Sequence, residues 1–191
     1  MSTLALQLHE PAAGNVRRLW DRLENVLGLR GVRRVPFPHV TLFGFEGVSQ
    51  PQVQDLLDER CDEASPLILG AVGLGLFLKP QPVLYMPVIR SPGLDALHRA
   101  LWEGVADLQG HLFPLYGPER WIPHLTLAQF DLEPGRLLEA VAALMDEDLS
   151  LSFEVRYLAL FDWIGPRYEP RERYPLRGRP AQVPGGAILK S

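Results

Sequence analysis

Pro36-Phe37-Pro38-His39-Val40-Thr41-Leu42-Phe43-Gly44-Phe45 and Trp121-Ile122-Pro123-His124-Leu125-Thr126-Leu127-Ala128-Gln129-Phe130 are two copies of one pattern, Pro-His-x-Thr-Leu. The 191-residue chain holds three threonines, Thr3, Thr41 and Thr126, and two of them stand two places after a histidine that itself follows a proline. Composition bias alone rarely arranges that.

Each copy is rich in β-branched, aromatic and leucine residues and follows a proline, which a strand tolerates at its first position. Alternation puts His39 and Thr41 on one face and Val40 and Leu42 on the other, and sets His124 and Thr126 against Leu125 and Leu127 in the same way. One face is core; the other presents an imidazole and a hydroxyl. At a rise of about 3.3 Å per residue the two Cα atoms of a pair are roughly 6.6 Å apart, a span that one tetrahedral phosphate bridges. Each copy is therefore half of a candidate phosphate site.

Outward from these strands, the two halves of the chain repeat one order: strand, long helix, motif strand, shorter helix, long strand. In the first half, Leu4, Leu6 and Leu8 alternate with Ala5, Gln7 and His9 and predict a strand with one buried face. Val16, Leu19, Trp20, Leu23, Val26 and Leu27 recur at helical spacing over 11–29. Ser49 and Pro51 open a short helix carrying Val53, Leu56 and Leu57, and 67–78 reads as one long strand. In the second half a strand over 83–89 precedes a helix over 92–109 with Leu94, Leu97, Leu101, Val105 and Leu108 on one side. After the motif, a helix over 134–145 places Leu137, Leu138, Val141, Leu144 and Met145 inward, 149–163 reads as a long strand, and 171–176 as a last one. From Arg177, with Pro180, Pro184, Gly185 and Gly186, the sequence predicts a disordered tail over 177–191.

Details support an internal duplication. Leu19-Trp20 and Leu101-Trp102 occupy similar places in the long helices, Leu76-Phe77 resembles Leu160-Phe161, and the motif histidines lie 85 residues apart. The expectation is a single two-lobed domain over 1–176 with pseudo-repeats over about 3–79 and 82–163. A pseudo-two-fold axis would bring the motif strands face to face, with His39, Thr41, His124 and Thr126 lining one cleft.

Composition bounds the rest. A 47% hydrophobic content supports a sizeable core. A net charge of −4 gives no global positive field for long nucleic acid, so any such contact is local and short. Seventeen of the nineteen basic residues are arginine, whose fork suits phosphate, although a GC-rich genome produces the same bias. Cys61, the lone cysteine, excludes an internal disulfide and any multi-cysteine metal or redox motif. No charged start leads into a long apolar run and no stretch is long enough to span a bilayer, so a cytoplasmic protein with no membrane partner is expected, acting as a monomer.

In-line displacement at phosphorus places the attacking and leaving oxygens on opposite sides, a nearly two-fold arrangement that a two-fold cleft matches. One neutral imidazole takes a proton from the attacking water or hydroxyl while the opposite imidazolium gives one to the leaving oxygen. The threonine hydroxyls donate to the non-bridging oxygens. No metal or other cofactor is required. The doubled motif, its separation and the element order resemble the two-histidine (2H) phosphoesterase superfamily, in particular its 2'-5' RNA ligase (LigT-like) branch, over roughly residues 3–176. The resemblance implies an α+β, two-lobed, internally duplicated fold with antiparallel sheets facing a central cleft and helices outside. It also implies metal-independent work on 2',3'-cyclic phosphates or 2'-5' phosphodiesters of RNA ends and small nucleotides. The catalytic and phosphate-binding roles carry over onto His39, Thr41, His124 and Thr126, with the choice of base and acid left open.

Beyond these four, Phe37 and Phe43 share the face of His39 by alternation and are candidates to stack on a base, against the alternative of ordinary packing at the cleft edge. Arg120, four residues before His124, is a candidate phosphate clamp or a solvated side chain. Tyr168, Arg171 and Tyr174 form a polar-aromatic stretch that could reach the cleft mouth, and His9, His98 and His111 read as structural. Two histidines with threonines make a poor zinc set, no nucleophile elbow is present, and the arginines of 30–34 and 167–179 read as solvated. The remaining rival is a non-catalytic module that binds the phosphate of an RNA end or nucleotide. Acid–base histidines in both halves favour an enzyme, since binding alone tolerates lysine or arginine there as well.

Overall fold

The computed structural model describes residues 1–178. The chain runs β1 (Ser2–Gln7), α1 (Ala12–Leu27), a 3₁₀ turn (Gly31–Arg34), β2 (His39–Glu46), α2 (Gln50–Glu63), β3 (Leu67–Val72), β4 (Gly75–Phe77) and β5 (Val83–Pro87). It continues with α3 (Pro92–Asp107), β6 (His111–Leu112), β7 (His124–Ala128), α4 (Leu137–Ala142), β8 (Ser150–Val155), β9 (Tyr157–Ile164) and β10 (Arg167–Pro175). Of the tail expected to be disordered, residues 179–191 lie outside the described residues. Arg177 and Gly178 are held: their amides donate to the Cys61 and Ala64 carbonyls, and the Arg177 guanidinium meets Asp62 at 2.7 Å.

The main sheet is antiparallel, in the order β10-β9-β1-β2-β7-β5-β4, with β6 paired to the end of β2. The fold is the expected α+β architecture, with one correction. The motif strands β2 and β7 are neighbours in a single sheet rather than opposed, and they join through one register pair, Val40 with Leu125. Outward from that seam the order is β2-β1-β9 on one side and β7-β5-β4 on the other. The third strand on each side of the seam thus comes from the other half of the chain, and β10 adds an edge beyond β9.

The exchange follows from a bend in each long strand. The stretch expected as one strand over 67–78 breaks at Gly73, whose φ of +72° is open to glycine and strained for other residues. The one over 149–163 breaks at Arg156. The leading halves, β3 and β8, pair with each other in a separate two-stranded sheet, and the trailing halves join the main sheet, β4 at its edge and β9 between β1 and β10.

The core lies between the sheet and the helices. Leu4, Leu6, Val40, Leu42, Leu125 and Leu127 supply the sheet side; Val16, Leu19 and Leu23 of α1 and Leu94, Leu97 and Leu101 of α3 supply the helix side. The helices also cross between the two halves of the chain, α1 packing on β7 and α3 on β2. His98 of α3 is buried as a structural residue: it stacks on Trp121 with centroids 3.9 Å apart, with Nε2 3.3 Å from the Leu42 carbonyl.

Three burial expectations fail, the first being Val26 of the α1 apolar stripe, which is 49% exposed. β1 is buried on both faces, because Ala5 is covered by Phe37, Ala159 and Phe161 in a small second cluster. The segment after the second motif forms a 3₁₀ turn (Pro134–Arg136) and the short α4, so Leu138 and Met145 sit 84% and 74% exposed while Ala140 and Leu144 point inward.

Candidate active site

The seam between β2 and β7 builds the site. Val40 and Leu125 pair and are buried, so the flanking residues His39 and Thr41, and His124 and Thr126, emerge together on the opposite face. Continuing the antiparallel register of that pair sets Thr41 against His124 and His39 against Thr126, so the two histidines are diagonal neighbours, for which ladder geometry gives about 7–8 Å. A diagonal of that length leaves room for a phosphate.

Both histidines are held in one tautomer by their own strand. The Nδ1–H of His39 donates to the Phe37 carbonyl at 3.0 Å and that of His124 to the Ile122 carbonyl at 2.7 Å. A carbonyl only accepts, so each Nδ1 carries the proton and each Nε2 is free to exchange one. Desolvation by burial pushes His39 down to about 4, opposed by the Phe37 carbonyl and assisted by the nearby His124. Burial also lowers His124, against the Ile122 carbonyl.

The threonine carbonyls, at a seam with a single register pair, are met by tryptophans. The Trp20 indole N–H donates to the Thr126 carbonyl and the Trp121 indole N–H to the Thr41 carbonyl, each at 2.9 Å. The walls follow the same exchange as the sheet. Phe161 of β9 packs edge-on against His39 with centroids 5.3 Å apart, and Phe77 of β4 against His124 at 5.1 Å. Tyr85 lies 4.9 Å from His124 and takes the space where a side chain on Gly75 would stand.

These groups enclose a cavity of about 560 Å³ that the four motif side chains line together with Arg120, Lys79, Tyr116, Phe130 and Tyr168. Charge gathers at it. Among the described residues Arg34, Lys79, Arg120 and Arg173 form no ion pair with a carboxylate; Lys79 and Arg120 line the cavity, and the Arg34 guanidinium lies 4.8 Å from the ring centroid of the lining residue Phe130. No cluster of three or more His, Cys, Asp or Glu side chains among the described residues is placed to hold a metal ion.

The two expected stacking residues require correction. β2 carries a bulge: Leu4 pairs with Phe43 but Ala5 with Thr41, so Leu42 is the extra residue and alternation slips by one. Phe43 therefore joins Val40 on the core face, fully buried against Trp102 and His98. Phe37 is buried against Phe161 beneath His39 and contributes its carbonyl to the site, not its ring. β7 carries the matching bulge at Leu127, since Leu84 pairs with Ala128 and Tyr85 with Thr126. Of the polar-aromatic stretch, Tyr168 lines the cavity, Arg171 pairs with Asp162 at 2.9 Å, and Tyr174 is buried with its hydroxyl on Glu172. The Leu-Phe resemblance of 76–77 and 160–161 was the signal for the missed wall residues Phe77 and Phe161. No helix among the described residues is long and apolar enough to cross a membrane.

Comparison with known proteins gives a consistent picture. The family model of the 2'-5' RNA ligase superfamily matches residues 9–167. No curated protein sequence matches. Among solved structures, TT0787 of Thermus thermophilus has a TM-score of 0.68 at 19% identity, covering 93% of this chain and 98% of that one. E. coli LigT complexed with 3'-AMP has a TM-score of 0.57 at 19% identity over 92% and 97%. The MHV ns2 PDE domain has a TM-score of 0.50 at 16% identity over 80% and 88%. At these identities the likeness is one of fold.

Proposed function

This chain belongs to the 2'-5' RNA ligase superfamily, as a LigT-like two-histidine phosphoesterase, and from that premise we propose that it opens 2',3'-cyclic phosphate ends of RNA or nucleotides. The observation that carries this reading is the pair of His-x-Thr motifs on one face of the seam, with each Nδ1 tied to a carbonyl and each Nε2 available. The cyclic phosphate sits between the four side chains. One neutral Nε2 takes a proton from water as its oxygen attacks phosphorus, and the opposite bond from phosphorus to a ribose oxygen breaks. The second imidazole, protonated, gives its proton to that ribose oxygen, and the product is a phosphomonoester. Thr41 and Thr126 donate to the non-bridging oxygens as charge builds there. Each proton transfer contributes on the order of 10²- to 10⁴-fold. The same in-line geometry run with a ribose hydroxyl as nucleophile joins or cleaves a 2'-5' linkage.

The test is turnover in EDTA of the four nucleoside 2',3'-cyclic monophosphates by wild type, His39→Ala and His124→Ala. The expected result is ring opening by wild type, a loss of at least about 100-fold in each variant, and one phosphate isomer in the product. Wild-type binding without turnover would replace this reading with that of a phosphate-binding module.

A further inference from the structure

The two motif copies differ at one matching place. Phe45 and Phe130 each stand six residues after the motif histidine. Phe45 is buried in the core. Phe130 has a φ of +74°, unusual for an aromatic residue, and its half-buried ring lines the cavity.

The outward turn is held in place. Both backbone amides of Arg30 and Gly31 donate to Asp131 Oδ2 at 2.7 Å, which fixes the Phe130 loop to the 3₁₀ turn that carries Arg34. The Arg34 guanidinium lies 4.8 Å from the Phe130 ring centroid. Its neighbours Arg30 and Arg33 are paired with Glu24, and Arg33 also with Asp21, but Arg34 has no carboxylate partner among the described residues. Phe130 in turn stacks on Trp163 at 6.1 Å, Trp163 meets Tyr168 at 4.7 Å, Tyr168 meets Phe161 at 5.2 Å, and Phe161 meets His39 at 5.3 Å. The row of rings leads from the His39 imidazole through the buried Phe161 to the half-buried Tyr168, Trp163 and Phe130, and ends at an arginine with no carboxylate partner among the described residues.

We propose that this row is a track for single-stranded RNA, with the nucleotide on the 5' side of the cyclic end seated on Phe130 and Trp163 and its phosphate met by Arg34. The proposal rests on the reading of the cavity as a cyclic-phosphate site and deepens it: the substrate is an oligoribonucleotide end rather than a free mononucleotide. Aromatic faces take any base and a guanidinium takes any phosphate, so the track recognises length and not sequence. It also sets direction. The reaction centre is nearly two-fold, but Phe45 is buried where Phe130 is not, so the strand leaves the cavity on the Phe130 side only.

The experiment compares kcat/KM for adenosine 2',3'-cyclic phosphate with that for a dinucleotide and a trinucleotide carrying the same cyclic end. Wild type, Arg34→Ala, Trp163→Leu and Phe130→Leu are used, the last two keeping bulk so that the fold survives. Affinity for the matching 3'-phosphate oligonucleotides is measured by calorimetry. The expected result is a wild-type gain of about tenfold or more from mononucleotide to dinucleotide, and a loss of most of that ratio in each variant. A wild-type rate and affinity that do not change with length, or a ratio unchanged in the variants, would overturn the track. If wild type gains affinity with length, loses the gain in the variants and yet turns nothing over, the track stands and the catalytic reading fails.

Discussion

At the residue scale, both motif histidines are held below the ordinary imidazole value of about 6.5, His39 at about 4. The general base must be neutral and the general acid protonated, so activity falls below the lower of the pair's two values and above the higher. Both lie under 6.5 in the free enzyme. The kcat/KM profile for a cyclic mononucleotide is therefore expected to peak on the acid side of pH 6.5, and that for kcat at higher pH, because a bound phosphate anion favours imidazolium. A kcat/KM maximum above pH 7 would show that the histidines are not held as described. His98 gives a separate stability prediction. Burial also lowers it to about 4, so between pH 6.5 and 4 the unfolded chain binds a proton that the folded chain refuses. Its contribution is fully present above pH 6.5 and is lost as pH falls toward 4. Urea midpoints measured across that range should fall in wild type and fall less in His98→Gln.

At the scale of elements, the strands and helices were legible because each carries a clean period. The bulges were not. The residues Thr41, Leu42 and Phe43 continue a plausible alternation, and only the register with β1 shows that Leu42 is extra and Phe43 turns inward. The bent strands hid for a similar reason: 149–163 reads as one long strand, and what divides it at Arg156 is the choice of β8 to pair with β3 and of β9 with β1. Pairing between distant segments is not written in a local period. The placing of the four motif residues was legible because the motif fixes them on one strand face, whereas the walls came from strands that the exchange delivers. Also out of view was the support beneath the threonines. Trp20→Phe removes the donor to the Thr126 carbonyl and leaves a part-buried acceptor unpaired, an expected loss of about 1–3 kcal/mol by urea denaturation. It should also lower kcat by slackening β7. A kcat unchanged beside a clear stability loss would show that the indole supports the fold alone.

For the whole molecule, a net charge of −4 coexists with a cavity lined by Lys79 and Arg120, which form no ion pair with a carboxylate among the described residues. Attraction of RNA should then be short in range and sensitive to salt. The logarithm of kcat/KM for a cyclic-ended trinucleotide is expected to fall with the logarithm of salt at a slope of about −1 to −2, and Arg120→Ala or Lys79→Ala to flatten that slope by about 0.7. A slope unchanged in both variants would place the relevant charges elsewhere. The sheet order has a consequence of another kind. A half-length polypeptide that lends its last strand to a neighbour and borrows the neighbour's in return would assemble, as two identical copies, the same order about the same seam. In such a pair every substitution would appear twice, and the two exits from the reaction centre would stay alike. Within one chain, by contrast, Phe130 lines the cavity while Phe45 stays buried, and on the proposed track that difference would give the bound molecule polarity, a head and a tail.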